Sequence, residues 1–190
     1  ERMDHIIESL YESLQTLPNR DSINLIVLAD HGMVRVDNDH VVNPYDYIKR
    51  EWVNRVHCDL PTHVWPKKGC EKKVYEALLK MPHVKVWRKA DIPAYLHYND
   101  NENIGDIVVS PDCGWMITET KVRACGMHGF DNTSFDMQVP FRAMGPDFKQ
   151  GYTKEHVFSN TNIYPLLCHL LHIQPAQNDG SLQQVNDMLR

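Results

Sequence analysis

The chain has 190 residues, 42% of them hydrophobic and 24% charged, the balance of one ordinary globular domain that can bury a core. A net charge of -5 and a pI near 6.1, with no block of Lys and Arg in any window, exclude a nucleic-acid surface held by phosphate contacts. No run reaches the ~18 apolar residues of a membrane span, and the opening "ERMDHIIESLYESL" has no apolar signal core.

The chain starts without an initiator Met and enters helix pattern at once, so it reads as a piece of something longer. Met3, Ile6, Ile7, Leu10, Leu14 and Leu17 recur at steps of three and four, one face of a helix that Pro18 and Asn19 stop. "INLIVLA", from Ile23, does not alternate with polar residues and reads as a strand buried on both faces, which implies an α/β sheet. The strip "DNDHVVNPYDYIKREW" follows.

"CEKKVYEALLKM" predicts a helix over 70–81 with Val74, Ala77, Leu78 and Met81 inward, ended by Pro82. "VKVWRK" predicts a short strand over 84–89, and "DIVVS" with "GWMITE" predicts a strand pair joined by a turn at "PDC". "TNIYPLLCHLLH" predicts a helix over 161–172, with Pro165 tolerated only in its first turn, and the tail is a loop before a last short helix. There are no repeats, and no composition shift marks an internal boundary.

Five cysteines form no CxxC pair, which makes a zinc ribbon improbable. Disulfides Cys58–Cys70 and Cys113–Cys125 are pairings that geometry must accept or refuse.

Chemistry enters where the first strand stops at "ADHG". Ligands of open α/β sheets bind beyond the carboxyl ends of strands, and Asp30 and His31 stand there. A carboxylate and an imidazole are both zinc ligands, and Gly32 removes a Cβ where backbone passes close to metal or substrate. An Asp at a strand end also forms turns, and a neighbouring His is often a surface residue, so alone the motif serves either reading. "GMHGFDN" repeats the pattern: His128 sits beside Gly129, with Asp131 and Asn132 placed to orient the imidazole or stiffen its loop. The remaining histidines, His97 in "IPAYLHY" among them, read as surface or packing residues, and the tryptophans as packing more than base-stacking platforms.

"NLIVLADHGM", "GMHGFDN", "MQVPFRAMGPDFKQG" and "NIYPLLCHLLHIQPAQNDGSL", in that order, resemble the second half of the catalytic domain of the ecto-nucleotide pyrophosphatase/phosphodiesterase family, in the alkaline phosphatase superfamily. The likeness runs over residues 1–190. It implies an α/β fold, the C-terminal part of an alkaline-phosphatase-like, mostly parallel sheet sandwiched by helices. It implies two zinc ions per full-length catalytic domain, clamping a phosphodiester or nucleotide substrate for in-line displacement by a threonine. Asp30 and His31 match ligands of the zinc that activates the threonine, and His128 matches a ligand of the zinc at the leaving oxygen. Ala29 stands where the family commonly has Ser.

Nothing before Asp30 matches the family's nucleophilic Thr, its first-strand Asp or its D-x-x-x-H pair. Three of six protein ligands are therefore present, and this chain alone is expected to be inactive. The resemblance also implies a secreted or cell-surface glycoprotein. "NTS" at 132–134 is a glycosylation sequon whose place beside the metal loop argues against occupancy. Two alternatives stand: a monoesterase or sulfatase-like hydrolase with the same ligands, and a catalytically silent ectodomain that binds a partner.

Overall fold

The computed structural model describes residues 2–190. The run of apolar residues after Ile23 forms strand β1, Leu25–Leu28, and the opening periodic segment forms helix α1, Arg2–Gln15. In chain order there follow β2 (Val34–Arg35), β3 (Val41–Val42), β4 (Val53–His57), β5 (Thr62–Pro66), helix α2 (Glu71–Leu78), β6 (Val84–Arg88), β7 (Ile107–Pro111) and β8 (Met116–Ile117). The last elements are β9 (Gly126–Met127), β10 (Phe141–Met144) and helix α3 (Ile163–Leu170), with short 3-10 turns between many of them. No helix among the described residues is long and apolar enough to cross a membrane.

No composition shift announces it, but the chain divides into two compact units, one running to Asp30 and resuming at Pro140–Arg190, the other His31–Val139. In the first, β1 pairs antiparallel with β10, Leu25 opposite Met144 and Leu28 opposite Phe141. Phe148, Leu166, Val185 and Met188 form its core, with Ile26, Phe141 and Ala143 packed against them. Pro165 is the third residue of α3 and is buried, where its missing N–H has no helical partner to lose. Asn162 is also buried, and its side-chain oxygen accepts from the Ser181 N–H at 2.8 Å, as a buried amide must be satisfied.

The second unit is built on an antiparallel four-stranded sheet, order β4-β5-β7-β6. Central β7 is buried at all five positions. Its Ile107 and Val109 enter the main core with Val53, Val64, Val74, Leu78 and Met81, while Val108 faces the other way toward Ile92 and Ile104. A third cluster, Val36, Phe130 and Met137 with Val34, Leu60 and Met127, lies at the two-stranded ribbon β2–β9.

Four expectations change. The strand buried on both faces is β7; β1 is only half-buried, with Leu28 41% exposed, because β10 and one apolar cluster are all it meets in its unit. The α/β class holds, but the strand pairings among the described residues are antiparallel apart from β3 with β8. β7 and β8 do not pair with each other. The turn closed by Trp115 N–H to Asp112 C=O sends β8 away to β3, where Met116 donates to the His40 carbonyl at 2.9 Å. All five cysteines are free, Cys168 buried in α3 and Cys70 packed on the main core, so neither proposed disulfide forms. α1 follows its predicted periodicity but buries none of its residues, and Met3, Ile6 and Leu10 are exposed.

Candidate metal centre

Asp30 lies two residues beyond the end of β1, and its carbonyl accepts from the Asn160 side-chain amide at 3.2 Å. His31 opens the second unit, so the peptide bond inside the motif is one of the two points at which the chain passes between the units. Within the second unit, His31 and His128 come together: their rings stack with centroids 3.5 Å apart and planes 12° from parallel. Ninety-six residues of chain separate them, so the pairing is the work of the fold.

The ribbon explains how. His31 leads through Gly32 and Met33 into β2, and β9 leads directly out to His128; Val34 stands opposite Met127 and Arg35 opposite Gly126. Val34 and Met127 point into the Val36–Phe130–Met137 cluster, which anchors the ribbon and leaves His128 on its solvent side. Gly32 donates to the Met137 carbonyl at 3.1 Å, and a Cβ on Gly32 would overlap the Asp136 carbonyl. Glycine is required there because the His31 segment runs against the backbone of Asp136 and Met137 on the loop that follows His128. Gly129 has φ +94, and a Cβ on it would stand 2.9 Å from the Leu60 carbonyl oxygen.

The Nδ1 of His31 is 2.9 Å from the Gly32 carbonyl oxygen, which can only accept, so this ring nitrogen is the donor in the contact. A backbone carbonyl holding the far nitrogen of an imidazole is a recurring way to prepare a metal-ligating histidine.

Asp131 does something more specific than its spacing suggested. One carboxylate oxygen accepts from Lys85 Nζ at 2.8 Å and Tyr95 Oη at 2.9 Å; the other accepts from the Thr133 N–H at 3.0 Å and hydroxyl at 2.7 Å. Burial alone would raise its pKa, but the Lys85 ammonium, both Thr133 donors and the Tyr95 hydroxyl outweigh it and hold the carboxyl far below the usual range. The hydrogen bonds thus tie the His128 loop to β6 and to the 3-10 turn Ala94–Leu96. Asn132 is exposed. Sequence reasoning missed Lys85 and Tyr95, which lie 46 and 36 residues from Asp131. The D-x-T spacing to Thr133 was a readable turn signal.

Other candidates sit elsewhere. His97 closes the 3-10 turn Ala94–Leu96 in left-handed backbone, φ 48. His83 stacks on Trp115 at 3.7 Å and His40 meets the same ring edge-on; Lys73 lies over Trp52, and Arg55 over Trp65. Arg50 covers Tyr45 at 3.8 Å, and Tyr45 and Tyr47 pack against the main core.

Among the described residues no group of three or more His, Cys, Asp or Glu side chains is arranged to hold a metal ion. Two imidazoles side by side, with a carboxylate on the residue next to one of them in sequence, are donor types that could join a larger metal-ligand set.

Comparison with known proteins gives this arrangement its context. The family profile described as type I phosphodiesterase / nucleotide pyrophosphatase matches residues 1–131. The chain is 33% identical to ectonucleotide pyrophosphatase/phosphodiesterase family member 5 of Homo sapiens, over 98% of its own length and 40% of that protein. It is 32% identical to bis(5'-adenosyl)-triphosphatase of Bos taurus, over 100% of itself and 42% of the relative. The solved structure of the human family member 5 superposes with TM-score 0.87, covering 100% of this chain and 51% of that one. An inactive Thr→Ala variant of the murine protein, in complex with AMP, superposes at 0.88 with the same coverage. The chain thus spans about half the length of the relatives it matches. On the profile match, the shared fold and the motifs together, the chain belongs to the type I phosphodiesterase / nucleotide pyrophosphatase family.

Proposed function

We propose that the full-length protein hydrolyses phosphodiester or pyrophosphate bonds of nucleotides or related small molecules, with two zinc ions and a threonine nucleophile that becomes transiently phosphorylated. The observation that carries this reading is the His31–His128 stack, with His31 Nδ1 held by the Gly32 carbonyl, in a chain of this family. Asp30 and His31 would hold one zinc and contribute to the placement of the nucleophile; His128 would hold the other, on the side of the departing oxygen. Zinc, when bound, supplies positive charge to both ends of an in-line displacement at phosphorus.

The chain's own residues do the holding. The Gly32 carbonyl keeps the proton on His31 Nδ1, and Gly32 lets that segment lie against Asp136 and Met137. Asp131, through Lys85, Tyr95 and Thr133, stiffens the loop from which His128 projects, so that little ordering is left for the moment of reaction. A nucleotide as substrate is supported by the murine relative's complex with AMP and by the bovine relative's name. A place outside the cell is supported by the "ecto" in the name of the human relative.

The test compares an aryl diester of a mononucleotide with an aryl monophosphate, using the purified full-length protein with and without chelator. Faster diester turnover that the chelator abolishes is expected. Faster monoester turnover would favour the monoesterase alternative and remove the proposal.

A further inference from the structure

The ribbon that brings His31 and His128 together has a second feature, an open trough of roughly 630 Å³ along its outer side, lined by residues 33–38 and 122–126. Two arginines line it, Arg35 and Arg123. Both are exposed, and among the described residues neither guanidinium has an ion pair or hydrogen bond. That is unusual company for a chain of net charge -5, where carboxylates to pair with are in excess. The one carboxylate on the lining, Asp37, turns one oxygen to its own loop: Oδ1 accepts from His40 Nδ1 at 2.7 Å and from the N–H groups of Asp39 and His40.

The trough is built, not incidental. Val36 N–H donates to the Cys125 carbonyl, extending the ladder past Arg35. The Asn38 amide then clamps the far end, donating to the Val122 carbonyl at 3.1 Å and accepting from the Val122 N–H at 2.9 Å. Opposite Arg35 stands Gly126, which has no side chain to fill the space; the Met33 side chain lies across it, close enough that a Cβ on Gly126 would sit 3.1 Å from Met33 Cγ. The trough therefore has an apolar floor and a cationic wall. The lining leads in sequence to the histidines: Met33 is two residues from His31 and Gly126 two from His128, so at most about 7 Å of chain lies between each pair.

We propose that this trough is a binding subsite for a phosphate-rich anion, the part of a nucleoside polyphosphate that lies beyond the phosphorus under attack, gripped by Arg35 and Arg123. It rests on the functional reading above and adds to it a location and two residues. Guanidinium forks suit phosphate oxygens, to which they donate two parallel N–H bonds. Among the described residues neither guanidinium is paired with the Asp37 carboxylate, which leaves both forks available for an incoming anion.

The test uses the full-length protein, the double variant Arg35→Met/Arg123→Met and the control Arg35→Lys/Arg123→Lys. Melting curves check that all three are folded. The ratio of kcat/KM for diadenosine triphosphate to that for an aryl mononucleotide diester is expected to fall at least tenfold in the methionine variant, chiefly through KM, and to recover in part with lysine. An unchanged ratio would overturn the subsite. In a second arm, fluorescent adenosine 5'-tetraphosphate is titrated into chelator-treated protein, and at least tenfold weaker binding by the methionine variant is expected. If the wild-type protein turns over neither substrate, the functional reading fails, and the titration alone decides the trough: equal binding by wild type and variant sinks it.

Discussion

Asp131 is the residue at which local electrostatics and site geometry meet. Its carboxylate is mostly buried, 14% exposed, while Lys85 is half in water, so the ion pair is screened on one side. Removing the ammonium with Lys85→Met is expected to cost about 1 kcal/mol near neutral pH, less than a fully buried charged hydrogen bond would. The folded-state pKa of Asp131 is depressed below its unfolded value of about 3.9. The stabilisation is therefore complete above the unfolded pKa and is lost as pH falls toward the folded one. Urea midpoints of wild type and Lys85→Met should differ at pH 7 and draw together steadily as pH falls from about 4 toward the depressed folded value; a gap that does not narrow over that range would mean the carboxylate is not the partner that matters. Gly32→Ala is expected to lower stability by about 2 kcal/mol, because the new methyl must displace the Asp136 carbonyl, and to part His31 from His128. Thermal melting and an NMR or crystallographic view of the two rings check both halves. The two histidines that the fold stacks were legible as candidates because chemistry constrains donor types: "DHG" and "HGFDN" each set a histidine beside a glycine. Lys85 and Tyr95 were not legible, because any residue of suitable length and charge on β6 or the 94–96 turn could have met Asp131, and only the fold chooses.

At the level of elements, periodicity located helices well and strand partners poorly. α2 and α3 fall inside their predicted spans because a 3.6-residue apolar repeat bounded by Pro or Asn is local information. Strands β4 and β5 gave no usable signal: "VNRVH" and "THVWP" are short, and their charged and aromatic residues lie on the exposed or half-buried face. The double burial expected of "INLIVLA" belongs instead to "IVVSP", since β7 has a strand on each side and an apolar cluster on each face. Adjacent leucines in α2 test this packing. Leu78 is fully buried and Leu79 is 53% exposed. Leu78→Ala should cost about 2–5 kcal/mol in chemical denaturation, and Leu79→Ala no more than about 0.5. Equal effects would mean the helix is not seated on the sheet as described.

For the whole molecule, the chain passes from one unit to the other between Asp30 and His31, and each unit keeps its own core. The apolar residues of α1 and the exposed Leu28 of β1 are faces that this chain does not cover, as fits a stretch spanning about half of its relatives. Catalysis by this stretch alone is not expected, because no residue in it matches the family's nucleophile. A chromogenic phosphodiester turned over by the purified 190-residue chain, and blocked by chelator, would contradict that. The central claim is that His31 and His128, brought together by the ribbon, are ligands of a two-metal site. Zinc analysis of the full-length protein and of its His31→Ala and His128→Ala variants tests it most directly. The expected result is on the order of two zinc ions per chain in wild type, with each substitution lowering zinc content and diester turnover together. Undiminished zinc in both variants, or a wild-type protein that binds none, would contradict it.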